Sequence, residues 1–199
     1  NRRGIGDTVI FLPFIKALSD KFNSPISLLV KENSKADQFL HQTNYIDKII
    51  LLERDSKLSN RHSGFFGSLD LIEEIKRYGF DKIIIFNSSL RFYLISKFSR
   101  IPEIYQYPLF QKTKQHITDT PKKFIKEKFN LEVNDDPEIH VDDRLVLESI
   151  NKFQLKKNDL NILLGIGGSG PTKRIPSRIF LEVIDKILKI KKCKFFLAT

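Results

Sequence analysis

Five short runs of β-branched and other large apolar residues recur along the chain, at 26–30, 48–52, 82–86, 162–166 and 194–198, with segments of helical periodicity between them. Such a run forms a buried strand, and strands that alternate with helices must cross over. They therefore lie parallel, in a sheet with helices on its faces. No other feature constrains the fold as much, and it predicts an α/β protein. Helical patterns cover 7–22, with apolar residues at Ile10, Phe11, Phe14, Ile15, Leu18 and Phe22, then 69–77, with Gly79 as the stop, and 177–190. A more polar helix is expected over 144–153. Because Gly4-Ile5-Gly6-Asp7 opens a helix, the first strand of the sheet is expected just upstream of Asn1.

The pattern changes between 131 and 158, where Asn134-Asp135-Asp136-Pro137 precedes the polar helix and Lys156-Lys157-Asn158-Asp159 follows it. A first domain is expected over 1–155, and over 156–199 the beginning of a second, in which strand, Gly-rich loop, helix and strand start again. That second piece is shorter than a unit without metal or disulfides usually needs to fold alone. The chain holds no Met, begins Asn1-Arg2-Arg3 and closes on the apolar run from Cys193 to Ala198, so it is expected to be a fragment of a longer protein.

With 41% hydrophobic and 29% charged residues the composition is that of a soluble globular protein. The longest unbroken apolar run, 9–15, is far below the ~20 residues of a spanning helix. A single Cys excludes an intrachain disulfide and a multi-cysteine metal site, and fits a reducing compartment. The formal charge of +10 points to an anionic partner: nucleic acid, lipid or a phosphorylated small molecule.

Two segments could carry chemistry. Gly4-Ile5-Gly6-Asp7-Thr8 lies at a strand-to-helix turn, where open α/β sheets bind ligands and where glycine lets backbone N–H groups come close. Asp7 there either faces the crevice or serves as the helix N-cap; with Ile10 three residues on, no capping box would form. The second segment runs from Gly165 to Pro176. Gly165, Gly167 and Gly170 match G-x-G-x-x-G after a strand, but Pro171 and Pro176 delay the following helix to Ser177. No acidic residue stands on the next strand, 194–199, to hold a ribose, and Pro171 also excludes a P-loop. A loop rich in N–H donors remains, with the Ser169 and Thr172 hydroxyls and the cations Lys173 and Arg174, suited to a diphosphate. The bland alternative is an ordinary Gly-rich connection with solvated charges.

In this order and about one domain apart, the two segments resemble glycosyltransferase family 9, the ADP-heptose:lipopolysaccharide heptosyltransferases. Gly6, Asp7, Pro13 and Leu18 match the family's opening G-D-x-x-x-x-x-P-x-x-x-x-L pattern, and Lys173-Arg174-Ile175-Pro176 is similar to its K-x-W-P-like signature, with Ile175 where an aromatic residue is usual. The segment from Tyr78 to Ile85, Ser88-Ser89-Leu90-Arg91 and the position of His116 are similar too. The resemblance implies a GT-B fold, a Rossmann-like N-terminal domain followed by the start of a second Rossmann-like domain. It further implies an inverting transfer of a heptose-like sugar from an ADP-linked donor to a lipopolysaccharide core or related lipid-linked saccharide. Asp7 then matches the general base, Gly4 and Gly6 the backbone approach to the ligand, and Gly168, Ser169, Gly170, Thr172 and Lys173 the segment holding the donor phosphates. Arg91 is a candidate for an acceptor phosphate.

No cofactor or metal is expected: the sequence holds no D-x-D, and its four His, at 41, 62, 116 and 140, lack ligand spacing and are read as surface residues. Lys112, Lys114, Lys122, Lys123, Lys126 and Lys128 with Phe124, Ile125 and Phe129, and Arg54, Arg61 and His62 around Phe65-Phe66, suggest basic, partly apolar faces. Such faces suit a cytoplasmic protein in peripheral contact with the inner face of the inner membrane, and equally a solvated surface. The competing readings are a dinucleotide-dependent oxidoreductase using Gly165–Gly170 and a non-catalytic binder of anionic ligands. Nucleic acid as the partner finds no aromatic-basic element in its favour.

Overall fold

The computed structural model describes residues 4–54, 60–109, 116–134, 136–156, 158–167 and 174–198. The elements in chain order are α1 (Ile5–Phe22), β1 (Ile26–Lys31), a short 3-10 turn (Glu32–Ser34), α2 (Ala36–Phe39), β2 (Ile46–Leu52), α3 (Phe66–Tyr78), β3 (Lys82–Ile85) and α4 (Leu90–Phe98). They continue with β4 (Glu103–Gln106), α5 (Asp119–Phe129), α6 (Asp143–Phe153), β5 (Leu160–Gly165), α7 (Ser177–Ile190) and β6 (Cys193–Ala198). All five apolar runs are strands. Gly79 ends α3 in the left-handed region at φ +64°, its N–H bonded to Lys76 O, so the stop has the geometry for which glycine is suited.

The chain divides into two compact units, Asn1–His140 and Val141–Thr199. The division falls ahead of α6, earlier than the junction at 155 that the composition suggests. Phe153 at the end of α6 meets Phe196 of β6 edge-on at 5.8 Å, and Lys194 Nζ donates to Gln154 O at 3.0 Å, so the helix packs with the second unit.

In the first unit β1 pairs with β2 and β3 with β4, both parallel. Strand alternation sends successive residues to opposite faces. Ile84, Phe86, Tyr105 and Tyr107 pack on the layer of α1 and α5, against Phe11, Phe14, Phe124 and Phe129. Ile83 and Ile104, with Leu29 and Leu52, pack on the layer of α3 and α4, against Leu71, Ile72, Ile75 and Ile95. Both strand pairs thus feed the same two cores. Where the alternation predicts one sheet, the described residues form separate two-stranded ladders.

Helix α1 carries Pro13 in its interior, which removes one backbone hydrogen bond. Leu12 and Phe14 on either side are 1% and 0% exposed, and each buried side chain of this size contributes about 1.5–3 kcal/mol, enough to offset the defect. In the second unit β5 and β6 pair in parallel, and none of its described residues is buried. Ile179, Leu181, Val183, Leu188 and Ile190 of α7 all remain exposed. Among the described residues no helix is long and apolar enough to cross a membrane.

Candidate functional site

The contacts of α1 show which way its N-terminus faces. Phe11, in its second turn, packs edge-on against Phe86 just past the carboxyl end of β3, with ring centroids 5.2 Å apart. Phe22, at its far end, lies under Lys82 at the start of β3, with Nζ 5.8 Å from the ring centroid. The helix therefore runs antiparallel to β3, and its first turn stands on the side of the strand carboxyl ends, where α/β sheets bind ligands.

Gly4 caps this helix in an extended conformation, and Asp7 occupies the third helical position rather than the cap that its residue type suggests. The Gly4 N–H donates to Asp7 Oδ2 at 3.0 Å, the reverse half of a capping box. The bond anchors one carboxylate oxygen and leaves Oδ1 available. A Cβ built on Gly4 or Gly6 would meet nothing within 4 Å. Packing among the described residues gives no reason for glycine there, although Gly6 in a helical turn costs about 1 kcal/mol relative to Ala. What the two glycines do leave is open space above a helix N-terminus.

A second construction sits at the carboxyl end of β2. His62, fully buried, accepts the Glu53 N–H on Nδ1 at 3.0 Å, while its own N–H returns to Glu53 O at 3.0 Å. With Nδ1 acting as acceptor the ring proton belongs on Nε2, which lies 3.2 Å from Glu74 Oε2 on α3 and donates to it. Arg61 Nη2 reaches the same carboxylate oxygen at 3.2 Å. Gly67 packs so tightly below this segment that a Cβ on it would stand 2.4 Å from His62 C and 2.5 Å from Arg61 O. From α4, Arg91 closes the arrangement: Nη2 donates to His62 O at 2.5 Å and Nε to Ser68 Oγ at 3.0 Å. Between these anchors Phe65 and Phe66 are 74% and 79% exposed, their rings edge-to-face at 5.8 Å.

Next to it, Gln106 Nε2 at the end of β4 donates to Asn87 O at 3.0 Å and to Ser89 O at 2.9 Å, and Asn87 Oδ1 accepts the Ser89 N–H at 2.9 Å. These bonds shape the turn from β3 into α4. Gly67, Ser68, Glu74 and Gln106 escape a sequence reading. The available signal is the run from Ser63 to Ser68, with two glycines bracketing two adjacent phenylalanines.

Other expectations meet the structure unevenly. Gly168, Ser169, Gly170, Thr172 and Lys173 lie outside the described residues, as do Lys112 and Lys114. Flanking them, Gly165 ends β5 and α7 begins at Ser177, so the described helix starts beyond both prolines and not within the glycines, unlike a dinucleotide fingerprint. His62 is not a surface residue: its ring nitrogens are bonded to Glu53 and to Glu74 of α3, and its backbone to Glu53 and to Arg91 of α4, so burial costs it little. His116, by contrast, is exposed, with Nδ1 2.9 Å from Thr118 Oγ1 ahead of α5. The face of α5 is basic but not apolar, because Phe124, Ile125 and Phe129 are 5%, 0% and 8% exposed and belong to the core. Of its lysines, Lys126 pairs with Glu132 at 2.7 Å and Lys123 lies 3.8 Å from Glu127. A hollow of about 810 Å³, bordered by Lys16, Asp20, Tyr45 and Glu138, lies at the amino end of β2, the side of the strands opposite the α1 N-terminus.

No protein-family model matches the sequence, and no curated protein matches it either. Solved structures do. A glycosyl transferase of family 9 from Veillonella parvula superposes with a TM-score of 0.72 at 18% identity, over 98% of this chain and 59% of that one. The ADP-heptose lps heptosyltransferase II of E. coli superposes with a TM-score of 0.70 at 14% identity, over 99% of this chain and 62% of that one. The fold is of the GT-B type. The chain spans about three-fifths of the length of these two structures, and at such identities the likeness concerns the fold.

Proposed function

We propose that the chain belongs to an inverting, metal-independent glycosyltransferase that moves a heptose-like sugar from an ADP-linked donor to a lipopolysaccharide core or a related lipid-linked saccharide. The observation that carries the reading is the first turn of α1. A carboxylate stands at the strand carboxyl ends with one oxygen anchored by Gly4 and the other available, beside glycines that no contact among the described residues requires. The GT-B fold and the order of the two sequence segments support the same reading.

In this mechanism Asp7 Oδ1 accepts the proton of the acceptor hydroxyl as that oxygen attacks the anomeric carbon. The new C–O bond forms on the face opposite the donor phosphate, the bond from the anomeric carbon to the phosphate oxygen breaks, and the nucleoside diphosphate leaves. Backbone N–H groups of Gly168 and Gly170, the hydroxyls of Ser169 and Thr172, and the Lys173 ammonium hold the diphosphate and stabilise its growing charge. The anchored rotamer of Asp7 means that little reorganisation is needed when the acceptor arrives. The lipid-linked acceptor would meet the protein at the exposed Phe65-Phe66 pair, whose rings offer an apolar contact for the lipid.

Titration calorimetry of the full-length protein against ADP, NAD and a short oligonucleotide tests the reading. Binding of ADP alone is expected. Tight binding of NAD without ADP would replace it with the oxidoreductase, and binding of the oligonucleotide alone with a nucleic-acid partner.

A further inference from the structure

We infer that Arg91 is a positioning residue that holds the Phe65-Phe66 tip in its exposed conformation, and does not itself meet the acceptor. The inference rests on the reading above, in which that tip contacts an amphiphilic acceptor at a lipid surface. Two adjacent phenylalanines at 74% and 79% exposure gain little from burial, and the ring contact between them covers only a small part of either. The tip persists because its base is tied on both sides. On one side the backbone of Arg61 and His62 lies directly on Gly67, at a separation that admits no side chain, and the His62 ring is locked between the Glu53 amide and Glu74. On the other, the planar fork of Arg91 takes two acceptors at once, His62 O before the tip and Ser68 Oγ after it. Ser68 Oγ in turn donates to Gly64 O at 2.8 Å, within the tip itself. A single guanidinium of α4 thus ties the residue that enters the turn to the residue that leaves it.

The geometry separates this role from direct phosphate binding by the substitution Arg91→Lys. Lysine keeps the charge but lacks the fork, so it cannot satisfy both acceptors in one plane. In the full-length protein R91K is expected to speed amide exchange of residues 63–68 about tenfold, with α3 and α4 protected as before. Its affinity for vesicles of phosphatidylethanolamine and phosphatidylglycerol in equal parts should fall several-fold, with the affinity for ADP unchanged. Ser68→Ala, which removes one of the two acceptors, should give a smaller change of the same kind. Unchanged exchange at 63–68 in R91K overturns the inference, whatever the vesicles show. If exchange rises in R91K but vesicle binding falls only in a Phe65→Ala/Phe66→Ala protein, the tie exists without serving the contact, and the inference is again overturned. If exchange rises in R91K and the double phenylalanine variant binds vesicles as the unaltered protein does, the tie stands and the lipid-contact reading falls.

Discussion

The Gly4 amide donates to Asp7 Oδ2 at 3.0 Å, so the residue proposed as the base also secures the start of its own helix. The two roles separate by substitution. Asp7→Ala removes both the proton acceptor and the partner of the Gly4 amide. It is expected to abolish transfer and to lower stability by about 1 kcal/mol, while leaving ADP affinity nearly intact. Asp7→Asn keeps an oxygen for Gly4 and should recover most of the stability but none of the turnover. Full turnover in D7A would reduce Asp7 to a structural residue at the helix start.

Gly67 meets the backbone of Arg61 and His62 more closely than any Cβ allows. The obstacle is main chain, not the end of a flexible side chain, so the loop or the first turn of α3 must move to admit a methyl group. Gly67→Ala is expected to cost about 1–3 kcal/mol in urea unfolding. Gly6→Ala, where a Cβ meets open space, should stabilise α1 slightly and instead weaken ligand binding. Equal stability effects at the two glycines would contradict this distinction.

Across the β3–β4 ladder Lys82 of β3 pairs with Glu103 of β4, which also accepts the Tyr105 hydroxyl at 2.7 Å. These bonds hold the Glu103 carboxyl below its ordinary range, first through Lys82 and then Tyr105. They raise Lys82 and Tyr105 above theirs, in each case chiefly through the bond to Glu103. A depressed acid contributes stability above its unfolded pKa and loses it as pH falls through the folded one. A raised base, or a raised phenol, contributes below its unfolded pKa and loses that contribution as pH rises through the folded one. The cluster is thus fully effective at neutral pH and weakens at both extremes. Glu103→Gln should flatten both limbs of a plot of melting temperature against pH. The effect should be small, because these groups are solvated, and should shrink further in high salt.

Much of the fold was legible because it rests on periodicity. The five apolar runs became strands, and α7 begins at Ser177, where two prolines allow a helix to start. β4 was missed because Glu103-Ile104-Tyr105-Gln106 is short and half polar; it becomes a strand through its parallel ladder with β3, a pairing no local pattern announces. The same limit applies to the site. Asp7 stands out by its neighbours in sequence, whereas Arg91, His62 and Ser68 come together only when α4, the β2 loop and α3 are folded. His62 reads as a surface residue for a related reason: an imidazole is polar, and only its three-dimensional partners make burial tolerable. At α5 the lysines drew attention to a face whose phenylalanines turn inward.

The donor side rests on the loop from Gly168 to Lys173, where the sequence supplies N–H donors, two hydroxyls and a cation around Pro171. If that loop holds a diphosphate, Lys173 acts as a point charge on it, whereas Ser169 and Thr172 give neutral hydrogen bonds. Lys173→Ala should then weaken ADP binding about tenfold, with the loss shrinking as salt is raised, because the charge that was removed is the one salt would screen. Ser169→Ala should cost less and show no such salt dependence. Both variants should leave the exchange of residues 63–68 untouched. Titration of ADP at low and high salt reads the difference. An unchanged ADP affinity in K173A at low salt would return the Gly-rich segment to an ordinary connection between β5 and α7.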